Sequence, residues 1–208
     1  MTKTASSAPA SNAGQRGRPR EFDLDAALDG AITVFTRKGF HGVSISELAG
    51  AMNVSAGSLY KAFPDKHAIY MAALNRYISL RQQQTARDIA AAANGYGAIA
   101  AMLQAYAALS SGEVGLLGCL VVASNVELAS NDNDIAKRVK TQLDGYEKRF
   151  AELIATGQKD GSIRNDLDPD SMATTLVCLT QGMRVVGKSG ATLATMQQTV
   201  AQALHMLV

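Results

Sequence analysis

Residues 44–66, SISELAGAMNVSAGSLYKAFPDK, constrain the fold more than any other stretch, because they spell two short helices joined by a tight turn. Ser44 stands three positions before Glu47, the S-x-x-E spacing in which a hydroxyl and a carboxylate satisfy free amides at a helix start. Behind that cap, Ile45, Leu48, Ala49 and Met52 recur at helical spacing and give the first helix one apolar side. Asn53 breaks the pattern, and the apolar Val54 is positioned to plug the angle between the helices. Ser55 is a good cap for a second helix over 56–63, which Pro64 ends. Leu59 and Phe63, four apart, anchor that helix to a core.

The anchoring leaves Ala56, Gly57, Ser58, Tyr60 and Lys61 to face outward. Small side chains at a helix start let the backbone approach the floor of a major groove, and its free amides favour phosphate oxygens. Asp65 caps the next helix, whose first turn holds Lys66, a cation set against the helix dipole that points to a phosphate partner. The whole layout is that of a DNA-reading helix-turn-helix. The residues also fit a plain helical hairpin in a bundle, with Tyr60 and Lys61 as solvated surface.

From about residue 22 to residue 70, the run VFTRKGF followed by VSISELAGAMNVSAGSLYKAFPDKHAIY resembles, without a gap, the DNA-binding domain of the TetR family of bacterial transcriptional regulators. The resemblance implies that Ser44, Ser46, Tyr60 and Lys66 contact phosphates, and that Ser55, Ala56, Gly57, Ser58 and Lys61 lie at or near the groove. One departure matters. Several positions of the second helix that could read bases are Ala, Gly or Ser, so shape and water carry more of the specificity.

The 208 residues suffice for a small N-terminal domain and a larger helical one, and with 47% apolar residues they can bury a sizeable core. A net charge of +2 is modest for a nucleic-acid binder, but residues 1–20 carry Lys3, Arg16, Arg18 and Arg20 with no acid. Two readings of this arm stand side by side: a disordered, solubilising tail, or an extended arm whose Arg18 and Arg20 enter a minor groove. The expected division is a basic arm over 1–20, a DNA-binding domain over 21–66, and an effector-binding and dimerisation domain over 67–208.

The fold class is all-α. A first helix is expected over 23–38, with Leu24, Leu28, Ala31 and Phe35 facing the core and Gly39 stopping it. A long helix runs from Lys66 to about Ala93, where Asn94 and Gly95 interrupt it. Further helices are expected near 96–110, 116–130, 133–159, 169–187 and 192–207. In the 133–159 segment Ile135, Val139, Leu143, Tyr146, Phe150 and Leu153 form an apolar stripe opposite a solvated basic face.

The last two helices are very apolar for the end of a chain. Met172, Leu176, Leu179, Met183 and Val186 on one, with Leu193, Met196, Val200, Leu204 and Leu207 on the other, predict a four-helix interface with a second copy. The alternative is that they cover their own core. A twofold homodimer would present two recognition helices to a palindromic double-stranded operator.

The family resemblance also implies a small-molecule pocket whose occupancy moves the DNA-binding domains through the long fourth helix. Candidate lining residues are Met102, Tyr106, Cys119, Asn125, Gln181 and Arg184, each of which reads first as an ordinary core or interface residue. Arg184, a guanidinium on an apolar helix, calls for a carboxylate: Glu127, an interface acid or an acidic effector. Cys119 lies in the apolar run GLLGCLVVA and reads first as an inert core thiol, with redox sensing as the alternative input. Cys119 and Cys178 are expected to be free thiols.

His41, His67 and His205 are scattered, no metal-ligand spacing appears and the glycines form no phosphate loop, so neither an enzyme nor a cofactor is expected. No charge-free run of about 18 apolar residues predicts a membrane span, and the N-terminus lacks the apolar core of a secretory signal. The expectation is a cytoplasmic, effector-released repressor. A helical adaptor that binds protein instead of DNA would leave Tyr60 and Lys66 dispensable.

Overall fold

The computed structural model describes residues 23–208, so the arm with Arg18 and Arg20, and the first two residues of the expected DNA-binding domain, lie outside the described residues. The described chain is helical, with no strand: α1 Leu24–Lys38, α2 Ile45–Ala51, α3 Ala56–Ala62, α4 Lys66–Ala90, α5 Gly95–Leu109, α6 Gly112–Leu117, α7 Leu120–Glu127, α8 Asn133–Asp160, α9 Pro169–Gly187 and α10 Leu193–His205. Most starts are written into the sequence as side-chain caps. Asp23, Ser44, Ser55, Asp65, Asn94, Asp132, Asp168 and Thr192 each accept a hydrogen bond from an amide in the first turn.

Two apolar cores organise the helices. The first gathers Phe35, Leu48, Leu59, Tyr70 and Leu74 from α1–α4 and extends to Leu120 and Val121 of α7 and Ile135 and Val139 of α8. Phe35 and Tyr70 meet edge to face at its centre, ring centroids 4.8 Å apart. The second core joins α5, the later half of α8, α9 and α10 through Ile99, Leu103, Phe150, Ile154, Leu176 and Val200. Here α5 and α8 cross at van der Waals contact of their backbones: a Cβ on Gly95 would sit 2.3 Å from the Gly157 nitrogen.

Several expectations change. Helix α4 ends at Ala90, three residues short of the expected limit. The single helix expected over 116–130 is two, α6 and α7, because Gly118 at φ 90° and the extended Cys119 turn the chain between them. Leu24, expected in the core, opens α1 and is 46% exposed. Of the ten residues expected at a dimer interface, Leu176, Met183, Met196, Val200 and Leu207 are buried in the chain's own second core. Met172, Leu179 and Leu204 are half-buried against it, and only Val186 and Leu193 are exposed. The apolar periodicity of the last two helices is therefore mainly internal packing.

Candidate functional site

Two short helices and the turn between them present one surface. Asn53 sits in the left-handed region at φ 55°, where asparagine is tolerated better than most side chains, and this turns α2 into α3. Val54 packs half-buried against the first core. Ser44 and Glu47 form the expected reciprocal box: the Glu47 amide donates to Ser44 Oγ at 3.2 Å, and Glu47 Oε2 accepts from the Ser44 amide at 2.8 Å. Glu47 is also paired with Lys38, and that hydrogen bond, ahead of those from Ser44, holds its carboxyl down at about 2.

Within α3 the only fully buried side chain is Leu59. Ala56, Gly57, Tyr60 and Lys61 are exposed, as is Ser46 on α2, while Ser58 is half-buried. Ser55 Oγ accepts from the Ser58 amide at 3.1 Å. The outward face thus combines small residues at the start of α3 with Tyr60 and Lys61 one turn later. Lys66 is a different matter, because its ammonium donates to the Val43 carbonyl at 2.6 Å and stands 4.6 Å over the Phe40 ring. These contacts steady a lysine in that first turn and take one of its three donors.

A second group of contacts ties this surface to α4 and α7. Glu127, the last residue of α7, accepts hydrogen bonds from the Phe40 and His41 amides, each at 3.1 Å. Gly39, at φ 71°, is needed there twice over, since a Cβ would also lie 2.6 Å from the Glu127 carboxylate. Midway along α7, Ser124 Oγ is 2.9 Å from the Tyr70 hydroxyl of α4. Burial pushes that phenol up to about 12, so it stays neutral and bonded. Arg76 of α4 reaches α1 through Asp29 at 2.7 Å and Asp25 at 2.9 Å.

The opposite end of α7 opens on a cavity between α4, α5, α8 and α9, with about 40 Å³ of free space, room for one or two waters. Of the six residues singled out from sequence for an effector site, Met102, Tyr106, Cys119, Gln181 and Arg184 line it together. Asn125 does not line it and is exposed. Tyr77, Tyr146, Arg81 and Asp88 also line the wall and were missed. Tyr146 lay in an apolar stripe, where its phenol tip was the only signal that the position needed a polar neighbour. Burial raises the Tyr106 and Tyr146 phenols above their ordinary range, which keeps both as donors. Cys119 accepts from the Tyr77 hydroxyl at 3.5 Å; both cysteines are free, Cys119 half-buried and Cys178 exposed.

Arg184 does not meet Glu127, as the sequence had allowed. The carboxylate is taken by the Phe40 and His41 amides, and Arg184 Nη2 instead donates to the Gly118 carbonyl ahead of α7. Among the described residues no group of three or more His, Cys, Asp or Glu is arranged to hold a metal, and no single helix is long and apolar enough to cross a membrane.

Comparison with known proteins gives the geometry its family. The model of "Bacterial regulatory proteins, tetR family" matches residues 27–73, and that of "Tetracyclin repressor-like, C-terminal domain" matches residues 95–204. The chain is 29% identical over 192 residues to the HTH-type transcriptional repressor ComR of Escherichia coli (strain K12), covering 92% of this chain and 91% of ComR. It is 29% identical over 149 residues to the HTH-type transcriptional repressor DhaR of Mycobacterium sp. (strain GP1), covering 72% of this chain and 74% of DhaR. A solved structure of a cysteine mutant of the TetR family regulator CifR, complexed with 26-base-pair double-strand operator DNA, superposes with a TM-score of 0.80 at 26% identity, covering 92% of this chain and all of that one (100%). The reduced form of E. coli NemR shares the fold, with a TM-score of 0.78 at 21% identity over 88% of this chain and 96% of its own. With both family models matched in order, the chain belongs to the TetR family of bacterial transcriptional regulators, which are DNA-binding proteins and not enzymes.

Proposed function

We propose that the protein is a homodimeric repressor that binds a palindromic operator through α2 and α3 and is released by a small molecule entering the cavity beside Cys119. The carrying observation is the division of labour on α3. Leu59 alone is buried, which leaves Ala56, Gly57, Tyr60 and Lys61 free for a groove, with Ser46 beside them. ComR and DhaR are repressors by name and CifR is held on operator DNA, which supports the reading. Residues 21–66 act as the DNA-reading unit and 67–208 as the effector and dimer unit, with Arg18 and Arg20 as further DNA contacts. The protein works in the cytoplasm, where its operator is.

Ser44, Ser46, Tyr60 and Lys66 approach phosphates, and Ser55, Ala56, Gly57, Ser58 and Lys61 lie along the groove. Lys66 retains two free ammonium donors after its bond to Val43. The second copy docks on the exposed strip of α9 and α10 that includes Val186 and Leu193, to which Val185, 54% exposed, adds.

The release route runs along α7. Its N-terminal side borders the cavity at Cys119 and its last residue grips the amides after α1, so widening the cavity shifts Glu127 and with it the tilt of α2 and α3. Helix α4 moves as the parallel strut through Tyr70 and Arg76. Such coupling needs an effector that binds the wider state better, and the narrow free space of this cavity, about 40 Å³, favours a ligand that binds the widened form.

Fluorescence anisotropy on DNA from just upstream of the coding region tests the reading. Nanomolar, salt-sensitive binding is expected, and Tyr60→Ala should weaken it about uniformly across sequences. Unchanged affinity in that variant, or indifference between this DNA and random duplex, would sink it.

A further inference from the structure

We infer that the cavity beside Cys119 is a binding site for a small organic carboxylate, whose charged end is taken by Arg184 and whose apolar body lies against Met102, Leu109 and Val121. The inference rests on the effector reading above and names the chemical class of the ligand.

The guanidinium of Arg184 is 3% exposed and forms no ion pair among the described residues. Its Nη2 donates to the Gly118 carbonyl, but its Nη1 has no acceptor at all. A buried cation with one unpartnered nitrogen and no countercharge is expensive to maintain. Its position in the last turn of α9 recovers a part of that cost, because the helix dipole is negative there. The dipole leaves the Nη1 hydrogens without a partner, and a carboxylate supplies both the countercharge and the acceptor.

The rest of the wall agrees. Arg81 adds a second cation, stacked on the Tyr77 ring at 5.2 Å, whereas the only acid on the lining is Asp88, which accepts from Gln84 at 2.8 Å. The lining thus carries two cations against one anion. Tyr106 and Tyr146 also line it, their rings edge to face with centroids 6.1 Å apart, and add neutral hydroxyls to the wall. Methionine, leucine and valine complete a wall suited to an alkyl or aromatic body. Because Arg184 also holds the carbonyl just ahead of α7, a carboxylate that draws the guanidinium acts at the start of the helix that ends in Glu127.

The test is titration calorimetry on the full-length protein with benzoate and hexanoate, each paired with its neutral amide, benzamide and hexanamide. Both acids are expected to bind with the amides at least about tenfold weaker, and Arg184→Met should cost the acids about 10- to 100-fold and erase their advantage. Should Arg184→Met fail to fold, Arg184→Lys carries the test, since a lysine keeps the charge, loses the fork and should narrow the preference for acids. Equal binding of acid and amide, acid binding unaltered in the variant, or no acid binding below about 10 mM would each overturn the inference. Operator anisotropy with the same acids separates the two claims. Release of DNA by a bound acid supports both, while an acid that binds at Arg184 and leaves the DNA complex intact keeps the carboxylate site and removes its role as effector.

Discussion

The DNA-facing end and the cavity end of this chain are built by different means. At the DNA-facing end, the helix-turn-helix itself is set by neighbours in sequence: the Ser44–Glu47 box, the left-handed Asn53 and the Ser55 cap each act within about one helical turn. At the cavity end, structure is set by residues far apart: Gly95 against Gly157, Gln82 on Gln142 at 2.9 Å, and Arg184 on Gly118. Local chemistry tolerates change elsewhere in the chain, and long-range chemistry does not.

Leu59→Ala presses hardest on that contrast. The residue is 1% exposed and is the single fully buried side chain of a seven-residue helix, so its truncation should destabilise by about 2–5 kcal/mol and abolish operator binding. Hydrogen exchange should quicken in α2 and α3 and stay slow in α5 and α10. Uniform quickening across the chain would show that the two ends are one cooperative unit.

Gly95→Ala is the counterpart at the other end. Alanine usually improves a helix by up to about 1 kcal/mol over glycine, but a Cβ at 2.3 Å from the Gly157 nitrogen forces α5 and α8 apart, a cost of about 1–3 kcal/mol that reverses the sign. The melting temperature should fall while operator affinity at 25 °C holds within a few-fold. A rise in melting temperature would mean that the crossing is looser than the contact distance implies.

Glu127→Gln addresses the joint between the ends. One amide-to-carboxylate bond can persist with the neutral side chain, so stability should drop by only about 1 kcal/mol. The larger change is expected in the effector response, read as the ratio of operator affinities with and without ligand, which should shrink towards one. A ratio equal to that of the unaltered protein would assign the coupling to α4 alone.

Legibility followed the same divide. The caps of α1–α5 and α8–α10 stand in the sequence as Asp, Ser, Asn or Thr at each start, which is why the helix expected near 169–187 begins where Asp168 places it. The Gly118 break was not, because a glycine in an apolar run reads as tolerated helix until its φ of 90° is seen. Five of the six cavity candidates meet on one wall, but Tyr77 and Tyr146 were hidden by periodicity, which marks the inward side of a helix without saying whether core or cavity lies there. The role of Glu127 was invisible for a plainer reason: its partners are backbone amides more than 80 residues away, and amides carry no sequence signal.

The smallest effect expected is in acid. The Glu47 carboxyl titrates at about 2 in the folded chain against an ordinary 4.5, chiefly through its bond to Lys38 and then through Ser44. A lowered folded value means that the unfolded chain binds the proton first as pH falls. The stabilisation is complete above about 4.5 and drains away as pH drops towards 2. Both partners are exposed, so the contribution is heavily screened, and added salt should shrink it further. Glu47→Gln should accordingly flatten the slope of stability against pH in that window and leave the slope between pH 6 and 8 unchanged. If the slope below 4.5 survives the substitution, the acid sensitivity belongs to carboxylates of the other end, such as Asp160, which is held low by Ser162 and by the Gly95 amide at the α5–α8 crossing. That outcome would move the pH-dependent contacts from the local box to the long-range crossing.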